Sequence, residues 1–168
     1  MPVPSWILEL RKKIGHDLIL VPGVSGMIFN ERGEVLLQHR SDNGLWSTIG
    51  GVMEPGEDPA DAIVREVFEE TALRVEPTAI VGVYSYPTIT YPNGDQVQYL
   101  TTQFICRLLD PLAKPVINDG ESLGFRYFPL DQLPKDLRAD AVERIRHSAE
   151  MHHNGTAHAR FKLNGRWL

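Results

Sequence analysis

The sequence predicts an α/β protein, an α/β/α sandwich in which a mixed β-sheet lies between two helices. Three observations support this architecture. An amphipathic helix begins near Pro59, short strand segments are separated by Pro-Gly and Asn-Gly turn signals, and a second helical pattern at residues 135–153 has an apolar face that would cover the opposite side of the sheet. The 168 residues, 42% of them hydrophobic, suffice for one well-buried domain spanning 1–168.

The N-terminal segment, residues 1–16, predicts a short helix that extends this domain. Apolar residues recur in it at helical spacing, three lysines or arginines lie near its end, and Gly15 closes the pattern. The helix is expected to pack on the domain or on a second subunit, so a homodimer is left open. The apolar residues are Trp6, Ile7, Leu10 and Ile14.

The next region predicts four strands. Pro22-Gly23 interrupts the first apolar run, which is therefore interpreted as two strands. A turn at residues 31–34 predicts a β-hairpin, and the last strand ends at the glycine pair Gly50-Gly51. The predicted strands are residues 18–21, 24–29, 35–38 and 45–49.

The acidic segment, residues 51–73, holds seven of the 22 acidic residues of the chain in 23 positions. Its second half predicts a helix, with Asp58 as N-cap and Pro59 at the first helical position. At roughly 100° per residue, one side of this helix is expected to pack and the other to carry carboxylates. The packing side would hold Ala60, Ile63, Val64, Val67 and Thr71, and the acidic side Glu66, Glu69, Glu70 and Leu73.

A second β-hairpin is predicted after this helix, because Asn93-Gly94 lies between two apolar segments. The strand before this hairpin is expected to begin at residue 79, because Pro77 interrupts the chain just before it. Tyrosines gather around the hairpin, and aromatic side chains at the ends of a sheet usually pack. The predicted strands are residues 79–86, 88–91 and 97–108, and the tyrosines are Tyr84, Tyr86, Tyr91 and Tyr99.

The C-terminal part predicts a strand at residues 124–128 and then the helix at 135–153. Leu137 and Ile145 belong to the apolar face of that helix, which should pack on the sheet opposite the acidic segment. In the remaining residues, 156–168, an Asn-Gly pair indicates either a terminal hairpin or a flexible tail.

Charge and cysteine content narrow the classes of function. A net charge of −5 argues against a protein that binds duplex nucleic acid, since such proteins usually present a basic face, so any nucleotide ligand is expected to be small. The single cysteine, Cys106, lies in an apolar run and predicts a buried thiol in a reducing cytoplasm. No apolar segment approaches the ~18 residues of a membrane span, and the first residues lack the pattern of a signal peptide.

The carboxylates of the acidic segment predict a cation site. Glu66 and Glu70 are spaced i, i+4 with Glu69 beside them, and like charges at that spacing repel in a solvated helix. A plain solvated acidic face is the alternative. The pair Gly50-Gly51, however, lets the backbone approach a ligand closely. Carboxylates that converge on free carbonyl groups suit a hard cation such as Mg²⁺, which takes phosphate oxygens as further ligands, so a polyphosphate substrate is expected.

Gly51, then Glu57 after five residues, then the run REVFEETAL after seven more, resemble the Nudix box. That motif is the signature of hydrolases that cleave a nucleoside diphosphate linked to another group. Every fixed position matches except Ala72, where the family has a glycine whose left-handed turn alanine enters at a cost of about 1 kcal/mol. Ile49 also stands where the family usually has proline. Neither departure removes a carboxylate, and this resemblance, more than the periodicity, implies the Nudix fold.

The resemblance implies roles for the carboxylates. It makes Glu66, Glu69 and Glu70 ligands of Mg²⁺ or Mn²⁺, with the carbonyl of Gly50 as a further ligand. The family often supplies another metal-binding or water-activating glutamate from a loop before a late aromatic strand, and Glu121 is so placed; an ordinary loop carboxylate is the alternative. Glu66 or Glu121 could act as the general base, and the sequence does not rank them, because a metal ligand and a base have the same side chain.

The resemblance also implies roles for two arginines. Arg65 would brace the loop against the helix together with Glu57. Arg40 lies at a strand end where the family often has an arginine on substrate phosphate, which guanidinium suits as a bidentate donor. An ordinary surface salt bridge is the alternative for Arg40. One of the tyrosines could stack on a base.

Three functions are compatible with these residues. The first is a Mg²⁺-dependent hydrolase that cleaves the pyrophosphate linkage of an ADP-ribose-like compound or of an oxidised nucleoside triphosphate. The second is a non-catalytic nucleotide-binding module on the same fold, which has no reason to keep a repulsive acidic cluster. The third, an isomerase or an mRNA-decapping relative, is disfavoured by the small size of the chain.

Overall fold

The computed structural model describes residues 3–118, 120–137, 139–155, 159, 161–163 and 166–167. Its elements, in chain order, are α1 (Ser5–Ile14), β1 (Ile19–Ile28), β2 (Val35–Arg40), β3 (Trp46–Ser47), α2 (Pro59–Thr71), β4 (Val75–Ser85), β5 (Ile89–Thr90), β6 (Gln96–Leu108), β7 (Ser122–Phe128), α3 (Ala139–Asn154), β8 (Lys162–Leu163) and β9 (Arg166–Trp167). None of the helices in these ranges is long and apolar enough to cross a membrane.

The strands in the described part of the chain form a mixed four-stranded sheet, an antiparallel three-stranded sheet and a short ribbon. In the first, β1 pairs in parallel with β6, while β4 and β5 pair antiparallel with β6. In the second, β2 lies between β3 and β7. The ribbon pairs β8 with β9, and the Asn-Gly turn expected between them lies outside the described residues.

Two apolar cores lie on opposite faces of β1. Ile63 and Val67 of α2 pack with Val24 in one core, and Ile145 of α3 packs with Met27 in the other. Positions 24 and 27 are three residues apart, and successive side chains of a strand alternate between its faces, so these two point to opposite sides of the sheet. The predicted α/β fold with a mixed sheet between two helical layers is therefore confirmed.

The first strand differs from the prediction, because β1 is continuous through Pro22. Proline adopts the extended backbone, and its carbonyl oxygen accepts a hydrogen bond from the Met53 N–H at 3.2 Å. The predicted hairpin is present only at its turn, where the Asn30 N–H donates to the Glu34 carbonyl at 3.0 Å and Phe29 bridges Val35. Beyond that bridge β1 and β2 belong to different sheets. Alternation identifies a strand, but it does not identify the neighbour that supplies its hydrogen bonds.

Other elements begin at residues that differ from the predicted ones, for local reasons. The strand β4 begins before Pro77, and the pairing register shifts between Pro77 and Ala79, which accommodates the missing N–H of proline. The helix α3 begins at residue 139 instead of 135, because the preceding residues form a turn in which the Leu137 N–H donates to the Pro134 carbonyl. The second hairpin is confirmed as β5 and β6. Cys106 is buried, and burial raises the pKa of its thiol to about 12.

The alternative of a plain solvated acidic face is wrong. The predicted division of α2 into a packing side and a carboxylate side is also wrong, because side chains three residues apart are neighbours on a helix, so Glu66 lies beside Ile63. Glu66 and Glu70 are buried, at 0% and 3% exposure, whereas Ala60 is exposed. Gly51 lies against the Glu66 carboxylate and encloses it, whereas Glu69 stays exposed. The predicted start of the helix at Pro59 is confirmed, although Asp58 makes no side-chain capping hydrogen bond.

Ala72 ends α2 in the left-handed conformation, with φ 57° and ψ 9°. We expect Ala72→Gly to raise the free energy of unfolding by up to about 1 kcal/mol, because glycine enters this region without the Cβ penalty. Ala60→Gly, in the exposed first turn of the same helix, should instead lower it. Urea unfolding of both variants would test the pair, and a destabilised Ala72→Gly would contradict the left-handed geometry.

Candidate functional site

An open cleft of about 800 Å³ runs along β1 and is lined by four of the eight predicted site residues, whereas Glu57, Arg65, Glu66 and Glu69 do not line it. Gly50, Gly51 and Glu70 line it, as do Arg40 from the end of β2 and Glu121 from the loop before β7. Residues that are distant in sequence therefore share one cleft.

The glycine pair allows the backbone to approach both β1 and the carboxylates of α2. The Gly51 N–H donates to the Val24 carbonyl at 3.1 Å, and the Val24 N–H donates back to the Gly51 carbonyl at 2.9 Å. Gly50 has φ 152°, and a Cβ there would lie 2.2 Å from the Val24 carbonyl oxygen. A Cβ on Gly51 would lie 2.5 Å from the carboxylate of Glu66. No side chain fits at either position without displacing a neighbour.

Glu66 has one carboxylate oxygen engaged and one unused. Its Oε1 accepts a hydrogen bond from Arg65 Nη1 at 2.8 Å. Its Oε2 is buried and has no hydrogen-bond partner among the residues that the structure describes. Burial raises the pKa of Glu66 to about 7, against the opposing pull of Arg65. Such an oxygen is an acceptor that a proton or a cation would satisfy.

Arg65 connects the loop to the helix. Its Nε and Nη2 donate to the two carboxylate oxygens of Glu57, both at 2.8 Å, and Nη2 also donates to the Val52 carbonyl at 3.2 Å. Nη1 reaches Glu69 at 3.1 Å in addition to Glu66. The bidentate bond lowers the pKa of Glu57. The contact between Glu57 and Arg65 that the resemblance implied is therefore present, while its part in catalysis stays a prediction.

The remaining candidates differ in exposure. Glu69 has a half-exposed side chain that reaches Arg65. Glu121 is partly buried, and its backbone carbonyl accepts from the Ser41 N–H at 2.7 Å, which ties its loop to the residue after β2. Arg40 donates from Nε and Nη2 to Asp42 at 2.9 and 2.8 Å. Arg40 thus has the salt bridge that was its alternative role and also faces the cleft.

The donor set fits a hard divalent cation. Glu66, Glu69 and Glu70 lie within two turns of one helix and offer only oxygen atoms, which Mg²⁺ and Mn²⁺ prefer. The unpartnered Oε2 of Glu66 is the acceptor that such an ion would use. Within the described ranges, no three Asp, Glu, His or Cys side chains stand in a metal-binding arrangement, and Arg65 hydrogen-bonds to two of the three carboxylates.

Arg144 also lines the cleft, although no sequence motif marks it. It is 7% exposed, and its guanidinium lies 5.4 Å from the ring centre of Tyr84 and 4.9 Å from that of Tyr86. Both distances suit a cation–π contact. The signal was its position, because residue 144 falls three after Ala141 and one before Ile145, on the apolar face of α3. A charged residue on an apolar helix face is unusual, and this feature of the sequence would have identified Arg144 as a candidate.

Glu66 predicts a pH dependence of the metal-free protein. With a folded pKa of about 7 against an ordinary 4.5, the folded state still holds this proton between those pH values while the unfolded chain has released it. The Glu66 contribution to the free energy of unfolding should therefore fall by about 3 kcal/mol as the pH rises through that interval. Chelator-treated protein and Glu66→Gln should be unfolded in urea from pH 4.5 to 8. The free energy of unfolding of Glu66→Gln, relative to that of the wild type, should increase as the pH rises. If the two free energies changed in parallel with pH, the burial of this charge would be contradicted.

A family model of the NUDIX domain matches residues 20–148. The chain is 30% identical over 143 residues to the 8-oxo-dGDP phosphatase of Mus musculus, a match that covers 83% of this chain and 40% of that one. It is 30% identical over 133 residues to the ADP-ribose pyrophosphatase of Methanocaldococcus jannaschii, covering 77% and 75%. The crystal structure of an ADP-ribose pyrophosphatase from Streptococcus suis is similar with a TM-score of 0.63 and 26% identity, covering 83% and 95%.

The chain spans about two fifths of the length of the first curated relatives that it matches. The family match nevertheless takes in most of the chain, from β1 into α3, and includes every candidate site residue described above. The archaeal relative matches over most of its own length as well. On this evidence the chain belongs to the Nudix family.

Proposed function

We propose that this chain is a divalent-cation-dependent pyrophosphohydrolase that acts on a nucleoside diphosphate derivative. The observation that carries the proposal is the buried Glu66, whose Oε2 has no hydrogen-bond partner among the described residues and which lies against Gly51 at the edge of the cleft. A buried carboxylate with an unused oxygen is costly for a purely structural protein, and a bound cation offsets that cost. Nudix relatives whose names state pyrophosphatase or phosphatase activity support the reaction type.

Glu66, Glu69 and Glu70 would hold Mg²⁺ or Mn²⁺, with the carbonyl of Gly50 as a further oxygen ligand. The bound cation would neutralise phosphate charge and lower the pKa of a water molecule that attacks phosphorus. Arg65 fixes the position of Glu66 through its hydrogen bond, and its salt bridge to Glu57 keeps the preceding loop against α2. These contacts keep the carboxylates in place before the substrate arrives.

Arg40 is proposed to bind a substrate phosphate. Its side chain is 29% exposed, lines the cleft, and makes two hydrogen bonds to Asp42. The same two donors match two phosphate oxygens, so a phosphate group could replace Asp42 as the partner of the guanidinium. Asp42 would then hold Arg40 in its extended position in the absence of substrate.

Glu121 is the second candidate for the general base. If Glu121 activates water or completes the metal site, Glu121→Gln should lower kcat by at least ~10-fold and change one limb of the pH–rate profile. Glu54→Gln, the same charge change in an exposed loop residue, is the matched control. Equal and small effects of both variants would remove Glu121 from the mechanism and leave Glu66 as the base.

A substrate panel tests the proposed function. ADP-ribose and 8-oxo-dGDP should be compared with 8-oxo-dGTP and unmodified nucleotides, in Mg²⁺, in Mn²⁺ and in EDTA, with phosphate and nucleotide products resolved by chromatography. Hydrolysis of a phosphoric anhydride that stops in EDTA is the expected result. Tight binding of a nucleotide without turnover in either cation would support the non-catalytic module instead.

A further inference from the structure

The helix α1 reaches the cleft although it lies outside the matched Nudix domain, which begins at residue 20. Val3 and Pro4, just before the helix, and Ile7 and Arg11 within it line the same cleft as the glycine pair. The N-terminal segment is therefore an addition to the domain that contributes a wall to its candidate site.

The position of α1 is fixed by an arginine and an apolar contact. Arg11 donates to the backbone carbonyls of Gly15 at 3.1 Å, Asp17 at 2.6 Å and Gln96 at 2.8 Å, and its Nε lies 3.4 Å from the Asp95 carboxylate. One guanidinium thus joins the end of α1 to the first residues of β6. Ile7 is buried at 8% exposure in a cluster with Ile19, Val21 and Val97.

The distance between α1 and the glycine pair suits a nucleotide. Ile7 packs on Val21, and Gly51 is hydrogen-bonded to Val24, three residues further along β1. Three residues of extended strand span about 10 Å. A nucleoside diphosphate that has its phosphates at Gly51 and extends along β1 towards residue 21 would therefore bring its base to α1.

The chemistry changes along the same line. Near the glycine pair the cleft is lined by Glu70, and Arg40 interacts with both Glu70 and Tyr91. Beside α1 the cleft is lined by Ile7, Val97 and tyrosines of the β5–β6 hairpin, and the charged Arg11 and Asp95 there pair with each other. The hydroxyl groups of Tyr91 and Tyr99 lie 2.9 Å apart in that hairpin. Aliphatic and aromatic side chains are suited to the faces of a planar base, while charged groups suit phosphate.

We propose that α1 forms the wall of a nucleobase compartment and thereby helps to select the substrate of this chain. The inference rests on the proposed function, because it assigns the nucleoside end of a substrate whose phosphates lie at the glycine pair. Ile7 and Val3 are the specificity-determining side chains, and Arg11 is a positioning residue that holds α1 against β6.

The test compares Ile7→Ala with Leu8→Ala, a matched change on the same helix at a side chain that is 50% exposed and does not line the cleft. Calorimetry with AMP and GMP in EDTA measures the nucleoside end without cation or turnover, and ribose 5-phosphate serves as a probe that has no base. We expect Ile7→Ala to weaken the binding of at least one nucleotide by ~5-fold or more. Leu8→Ala should bind as the wild type does, and ribose 5-phosphate should not distinguish the variants.

Val3→Asp provides a second variant, because Val3 is 53% exposed and its replacement does not disturb the core. In the hydrolysis assay both variants should raise KM for the best substrate of the panel and leave kcat within about twofold.

The role of α1 alone would be overturned if the wild type hydrolyses the panel while Ile7→Ala and Val3→Asp keep the wild-type KM and Kd. A wild type that binds AMP or GMP but hydrolyses nothing would overturn the proposed function alone, and binding of neither nucleotide would overturn the compartment.

Discussion

Replacing Glu70 with glutamine is expected to lower kcat by ~100-fold or more at saturating Mg²⁺. Glu70 is 3% exposed, lines the cleft beside Gly50 and Gly51, and lies one helical turn from Glu66. Glutamine keeps the size of the side chain and removes the charge that a divalent cation needs. The loss should therefore appear in turnover and in the cation concentration required for half-maximal rate.

The fold of this variant should stay intact, because the substitution removes a like-charge repulsion between Glu66 and Glu70. Its melting temperature is expected to equal or slightly exceed that of the metal-free wild type. Glu54→Gln, in the exposed loop before Glu57, controls for the loss of one negative charge and should keep near-full activity. Near-full activity of Glu70→Gln in saturating Mg²⁺ would mean that Glu70 does not hold the cation.

Both ends of α2 could be predicted from the sequence because their signals are local. Pro59 has a fixed φ and no N–H, both of which suit the first position of a helix, and the structure begins the helix there. The motif places a left-handed residue at position 72, and Ala72 adopts that conformation although it is not glycine. The chain direction after the helix is thus set by tertiary contacts that outweigh a cost of about 1 kcal/mol.

Partners across the sheet could not be predicted in the same way. The β1 and β2 segments were recognisable as strands, but whether two neighbouring strands pair depends on contacts with β6 and β7, which lie far along the chain. The burial of Glu66 has the same origin. Glu66 follows Ile63 by three residues and lies beside it on the helix surface, but only the close approach of Gly51, a tertiary contact, encloses its carboxylate.

The candidate site was predictable where the motif reaches and missed where it does not. The carboxylates, the glycine pair and Arg65 lie within residues 50–70, and the structure brings them together. Arg144 and the cleft-lining side chains of α1 come from opposite ends of the chain, where no motif marks them. Only the packing of α3 and α1 around β1 shows that these residues face one cleft.

Gly51→Ala is expected to lower kcat by ~100-fold or more while changing the free energy of unfolding by little. The added Cβ would lie 2.5 Å from the Glu66 carboxylate carbon and 2.5 and 2.6 Å from its oxygens. Because a carboxylate is the end of a flexible side chain, it can move aside at a small cost in stability. A cation ligand displaced by about 1 Å, however, costs ~100-fold in rate. Gly124→Ala, whose Cβ would meet open space in β7, is the matched control.

A double-mutant cycle then identifies the group through which Gly51 acts. If the alanine harms the enzyme by moving the Glu66 carboxylate, Gly51→Ala combined with Glu66→Gln should be no slower than the slower single variant, since both remove the same interaction. If the falls in kcat of the two single variants multiply in the double variant, Gly51 acts through another group, such as a substrate phosphate bound at its backbone. Urea unfolding of the four proteins in EDTA provides the stability readout, and a large destabilisation by Gly51→Ala alone would mean that Glu66 has no room to yield.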